Sequence, residues 1–262
     1  MLDLNYTQPP ADVVMPAEAQ MITTVIYGIG AVAFIIYAVY LANKHKSMLP
    51  ILFICGALLT IYLEPFVDVM GNALHPQIGQ WNLLTTNGHP VPWAVLIGYV
   101  WYFAGALLIC YKKLIDRSIT PTFLWVIYVA VILGASVVEQ IPLYYGVWIY
   151  YGYQPHKIGF MPLWWMFANT AAVLVPFMIV YKIFPLLKGW RQILVLGLMP
   201  SGALMGHAAA GWPMYNALGT NTETYSHIII QFASFSSMAL SVLTVWAMMK
   251  VTGIGDERTC NN

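Results

Sequence analysis

The stretch ALLTIYLEPFVDVMGNALHP, residues 57–76, decides how the chain is read. Up to Leu63 it is the middle of a membrane-spanning helix. Then come Glu64, Pro65 and Asp68, two carboxylates one helical turn apart in what should be hydrocarbon. Pro65 cannot donate to the carbonyl of Ile61, and its ring disfavours helical geometry at Glu64, so the helix is expected to kink or thin there. An ionisable group inside a span costs about 2.5 kcal/mol or more on insertion scales, and such groups usually serve a function.

The surroundings support a membrane setting. Of 262 residues, 60% are apolar and 8% charged, with ten tryptophans and seventeen tyrosines. A soluble domain carries roughly 25% charged residues, so the composition predicts lipid as the solvent. The formal net charge of +1 argues against a nucleic-acid partner. Apolar runs of about 20 residues give seven spans, over 21–41, 49–70, 91–111, 121–143, 161–181, 193–210 and 225–249. The sixth is the shortest. The expectation is an all-α, polytopic seven-helix bundle: a tail over 1–20, one membrane domain over 21–251 and a second tail over 252–262. Asp3, Asp12 and Glu18 precede the first span without a basic region, so no cleavable signal is expected.

Charge orients the bundle. Lys44 and Lys46 follow span one; Lys112, Lys113 and Arg117 follow span three; Lys182, Lys188 and Arg191 follow span five; Lys250 and Arg258 follow span seven. All of these fall on one side and Lys157 on the other, which predicts an N-terminus outside and a C-terminus in the cytoplasm. The membrane is a plasma or inner membrane, or the endoplasmic reticulum. Cys55 and Cys110 lie in or near spans and Cys260 in the last tail, so no disulfide framework or metal-type pair is formed. Asn5-Tyr6-Thr7 matches the glycosylation sequon, a pattern frequent by chance. No internal repeat is visible, and seven spans do not divide into equal halves, against an inverted-repeat transporter.

With this topology Glu64 lies about 22 Å above the start of span two, in the outer third, and Asp68 one turn higher. Glu139 near the end of span four, Asn169 in span five, His207 in span six and His227 and Gln231 in span seven fall at similar depth. His227, Gln231, Ser234 and Ser241 form one stripe of span seven; the serines suit helix–helix hydrogen bonding. The outer loops add aromatic residues: EQIPLYYGVWIYYGYQPHKIGFMPLWWMFAN, residues 139–169, holds Tyr144, Tyr145, Trp148, Tyr150, Tyr151, Tyr153, Trp164 and Trp165, and Trp212 and Tyr215 follow. Some form the interfacial belt; the excess suggests a pocket of aromatic faces, which stabilise cations. Candidate catalytic residues are Glu64, Asp68 and Glu139. Candidate substrate-binding residues are Asn169, His207, Trp212, Tyr144, Tyr151, Trp165, His227 and Gln231.

His75, His89, His156, His207 and His227 all lie on the outer side, but no HxxH, HxxxH or ExxH pair fixes two ligands on one helix. His75, His89 and His156 stand beside proline or lysine in loops, where solvation is expected. The reading therefore assigns no metal and no cofactor.

Intramembrane acids beside an aromatic pocket suit chemistry on a greasy substrate. An acid protonates an alkene or epoxide, aromatic faces stabilise the cation, and a base removes a proton. In architecture and acid placement the chain resembles the small integral-membrane terpene cyclases of meroterpenoid pathways, which have seven spans and depend on intramembrane Glu and Asp. The resemblance implies an acid role for Glu64 and a lipophilic, isoprenoid-like substrate, with membrane lipid the other partner and the oligomeric state open. Two rivals stand: a metal-dependent membrane oxygenase or a subunit of one, and a non-catalytic lipid or pigment binder or transporter. A covalent retinal protein is disfavoured because span seven has no lysine before Lys250.

Overall fold

The computed structural model describes residues 6–255. Asp3, Asn5 of the sequon, Arg258 and Cys260 lie outside the described residues. Among those residues, six helices are long and apolar enough to cross a membrane: Ala17–His45, Leu49–Gly71, Pro121–Tyr144, Leu163–Leu186, Gly189–Leu218 and His227–Thr252. The chain is thus mostly helical, as expected of an all-α polytopic protein.

The helices are α1 (Ala17–His45), α2 (Leu49–Leu59), α3 (Glu64–Gly71), α4 (Trp93–Tyr102), α5 (Gly105–Ile109), α6 (Tyr111–Ile115), α7 (Pro121–Tyr144), α8 (Leu163–Ile183), α9 (Val195–Leu218) and α10 (His227–Thr252). Two expectations about length change. The third expected span is the short one: its apolar part is Trp93–Ile109, interrupted between Tyr102 and Gly105. The sixth, expected to be shortest, is 30 residues long, from Gly189 to Leu218. It continues past Ala210 with Pro213, like Pro200, inside the helix. Neighbouring helices re-satisfy backbone groups that proline frees in such a bundle.

α8 is the central post: 78% of its apolar window is buried, against 17% for α7 and 22% for α1. Small residues on α9 permit the tightest contact. A Cβ at Gly202 would lie 2.8 Å from Cβ of Pro176, and one at Gly206 would enter the backbone of Ala171. Close backbone approach through small residues is how helices associate when lipid replaces water. The expected serine contacts are present. The Ser241 hydroxyl donates to the Phe167 carbonyl at 2.6 Å and lies 2.8 Å from the Tyr128 hydroxyl, joining α10, α8 and α7.

The bundle has two chemically distinct ends. At the basic end, Met48 N–H donates to Gln192 Oε1 at 3.1 Å, and the Arg117 guanidinium donates to the Tyr181 carbonyl. The other end is capped by short antiparallel pairs: β1 (Ala73–Leu74) with β4 (Ile149–Tyr150), β2 (Asn82–Thr86) with β3 (His89–Pro92), and β5 (Lys157–Ile158) with β6 (Met161–Pro162). In the β2–β3 hairpin Asn87 and Gly88 take φ of 52° and 75°, the left-handed pair that matches strand twist. The start of α1 is tied into this cap: Gln20, buried in its first turn, accepts from Trp81 N–H at 2.7 Å and donates to the Gly79 carbonyl.

Candidate functional site

The break in the second long helix builds the site. α2 stops at Leu59, a 3-10 turn runs from Thr60 to Leu63, and α3 restarts at Glu64 with Pro65 in its first turn. There the missing proline N–H costs nothing, because the first helical amides have no intrahelical partner. The expected thinning is present, one turn before the proline. It leaves Glu64 and Asp68 on the wall of a cavity of about 440 Å³.

That cavity lies among α1, α3, α4, α5, α7, α8 and α9. α7 lines it with a single stripe from Ile127 to Glu139, in which Ala130, Gly134 and Ala135 leave room. Along α4 and α5 the lining runs from Val95 to Cys110, about 22 Å of helix rise, so the space is elongated. Polar groups gather at the capped end: Glu64, Asp68, Glu139, Asn169 and His207. The far end is apolar, with Phe34 and Ile109.

Glu64 is held on both sides. Tyr99 donates its hydroxyl to Oε2, and Nε2 of His75 lies 3.3 Å from Oε1. The same Nε2 lies 3.8 Å from Oδ2 of Asp68. His75 is only 2% exposed, with the Trp148 ring set edge-on at 5.5 Å. The expectation of a solvated loop histidine is therefore corrected. Asn72 ends α3 in a left-handed turn, and pairing of β1 with β4 folds the following residues over the cavity. His89 is also buried, in β3, whereas His156 is half-buried with Nδ1 3.2 Å from the Ser234 hydroxyl.

Several buried atoms at this end have no hydrogen-bond partner among the described residues: Asp68 Oδ2, His75 Nδ1, Glu139 Oε2 and His207 Nε2. Each costs about 1–3 kcal/mol when left unmet, so their concentration around one cavity marks a place built for something else to bind. His207 is oriented through Nδ1 by the Tyr215 hydroxyl, with Trp165 edge-on at 5.2 Å. Trp165 reaches the wall because Gly71 has no side chain; a Cβ there would enter the indole. The Tyr102 hydroxyl stands beside Asn169, and that of Tyr150 beside the Trp148 indole.

Of the candidate residues, Glu64, Asp68, Glu139, Asn169, Trp165 and His207 meet at the cavity. The others do not line it. Tyr144 is exposed and packs on Tyr145 and Phe160, and Trp212 is exposed on α9. Tyr151 lines a separate cleft with Thr7 and Gly152, where burial pushes its hydroxyl up to about 12. His227 is exposed and stacks on Tyr153 at 3.7 Å, and Gln231 donates to the Tyr153 hydroxyl at 2.9 Å. The stripe on α10 therefore divides: Ser234 and Ser241 turn inward, and the two polar residues nearest the cap bind the loop above it.

Residues missed by the sequence are His75, Tyr27, Tyr99, Trp101 and Tyr102. Tyr99 and Tyr102, at i and i+3 within the apolar run 91–111, are the sequence signal of a polar lining on that helix. Glu64, Asp68 and His75 offer ligand atoms that all lie within 4.8 Å of one another, a geometry able to hold a metal ion. No protein-family model matches the sequence, and no curated protein or solved structure matches it.

Proposed function

We propose that the chain is a seven-span integral-membrane enzyme that cyclises or isomerises a lipophilic, isoprenoid-like substrate by acid-initiated carbocation chemistry. The observation that carries this reading is a buried carboxyl, Glu139, whose Oε2 has no hydrogen-bond partner among the described residues, on the wall of an elongated aromatic cavity. In this reading the six long helices are joined by the shorter apolar Trp93–Ile109 as a seventh span. The basic end, with Lys44, Lys112, Lys182 and Lys250, is cytoplasmic by the positive-inside rule, which puts the polar end of the cavity in the outer leaflet.

Both oxygens of Glu64 are engaged, by Tyr99 and His75, so Glu139 is the better-placed proton donor. Its proton goes to an alkene carbon, taken by the π pair, or to a lone pair of an epoxide oxygen, which then keeps the C–O pair as that bond breaks; either leaves a carbocation. A second double bond closes on the cation, forming the new C–C bond, beneath the faces of Tyr102, Trp148 and Trp165. His207 Nε2 then takes a proton from the adjacent carbon, and that C–H pair becomes the product alkene. One proton leaves Glu139 and one arrives at His207, so the reaction is a net isomerisation.

The test is to incubate purified protein in lipid discs with farnesylated and geranylgeranylated aromatic compounds and their terminal epoxides. Products of unchanged mass from the wild type, absent with Glu139→Gln, are expected. Recovery of every compound unchanged, or equal turnover by the variant, would refute the reading.

A further inference from the structure

The corner formed by Glu64, Asp68 and His75 presents three donor side chains from two segments, folded together by the turn at Asn72. We propose that this corner binds one divalent transition-metal ion, of the class Mn²⁺, Fe²⁺ or Zn²⁺, whose open coordination positions face the cavity. The inference goes beyond the acid reading, which keeps Glu139 as proton donor.

Geometry is the first ground. Metal bonds of about 2.1 Å put neighbouring ligand atoms about 3.0 Å apart at right angles and about 3.4 Å apart in a tetrahedron. His75 Nε2 lies 3.3 Å from Glu64 Oε1 and 3.8 Å from Asp68 Oδ2, close to those edges. Both exceed the usual N–H···O separation of about 2.9 Å. Charge is the second. Neither carboxylate is paired with a lysine or arginine among the described residues, and the two share the imidazole of His75. A divalent ion neutralises both carboxylates at once, where a single imidazolium balances one.

The third ground is independent of the spacing. Asp68 is 3% exposed, its Oδ2 has no hydrogen-bond partner among the described residues, and that atom points at the corner. The Tyr99 hydroxyl binds the other oxygen of Glu64, the support that ligating carboxylates ordinarily receive. Three protein ligands with positions left open is the pattern of catalytic metal sites. One imidazole nitrogen with two carboxylate oxygens suits the named ions better than soft Cu(I) or weakly nitrogen-binding Ca²⁺. Glu64 and Asp68 line the cavity, so an oxygen of a lipophilic substrate completes the shell.

The test uses full-length, tag-free protein in lipid discs, stripped with chelator and titrated with Mn²⁺, Fe²⁺ (anaerobically) and Zn²⁺ singly. Bound metal is read by elemental analysis, and Mn²⁺ also by electron paramagnetic resonance. About one equivalent of at least one ion is expected, together with a raised melting temperature. Asp68→Asn, close in shape to the native residue, and His75→Ala should lose that equivalent, Tyr99→Phe should weaken binding about tenfold, and Glu139→Gln should keep it. Wild-type protein that binds none of the three ions overturns the proposal, as does folded Asp68→Asn that binds as well as the wild type. Metal content is read without substrate, so its absence would leave the chemistry assigned to Glu139 untouched, and a failed turnover panel would leave the metal result standing.

Discussion

Two groups of polar residues occupy the capped end of the bundle, and they are built differently. Over the surface, His227 stacks on Tyr153 and contacts the Thr222 carbonyl at 3.2 Å, Gln231 donates to the Tyr153 hydroxyl, and Tyr153 N–H donates to Thr222 Oγ1 at 3.0 Å. Each of these groups meets another protein group. Around the cavity, Glu139 Oε2, His207 Nε2 and Asp68 Oδ2 meet none among the described residues. Polar networks that are fully satisfied rigidify a fold, whereas partly satisfied ones are costly and persist only for a reason. The first group fastens the loop above α10, and the second is left facing the cavity.

The contrast predicts its largest effect at Glu139. Replacing it with glutamine keeps the shape and removes the transferable proton, so turnover should fall by about 10²–10⁴-fold, the usual contribution of a general acid. The melting temperature should stay near that of the wild type. A variant with normal turnover would move the proton donor elsewhere in the cavity.

Two glycines separate packing from ligand space. A Cβ at Gly206 meets α8 backbone, so Gly206→Val should destabilise by about 1–3 kcal/mol through overpacking. Gly134 has nothing within 4 Å of an added Cβ and lines the cavity. Gly134→Leu should therefore fold normally yet lower turnover about tenfold or more by filling substrate space. Thermal melts and product assays distinguish the pair; an unstable Gly134→Leu with intact specific activity would reverse the assignment.

How much of this was legible in the sequence depends on the range of the interaction. Glu64 and Asp68 stood out because a carboxylate cannot hide inside an apolar run, and their shared face follows from helical spacing alone. Glu139, Asn169 and His207 converged once depth was counted along each span. His75 did not, because its burial depends on β1 pairing with β4, strands separated by more than seventy residues. The length of α9 was misjudged for a related reason: the helix runs through Pro213, which local rules treat as a stop. His227 and Gln231 have the right helical phase but the wrong height, in the first turns of α10 beneath a loop that binds them.

That error supplies the smallest prediction. Gln231→Ala removes one hydrogen bond, to the Tyr153 hydroxyl, at an exposed position where water replaces the lost partner. The cost should be about 0.5–1.5 kcal/mol at most, seen as a slight fall in melting temperature, with turnover within about twofold of the wild type. His227→Ala should behave similarly, since its stacking on Tyr153 is also at the surface. Double substitution should couple, because both side chains act through the same tyrosine and neighbours in one network do not add. Loss of turnover comparable with Glu139→Gln would mean that the Tyr153 loop network controls the chemistry directly, and the division between a fastened surface and an open cavity would fail.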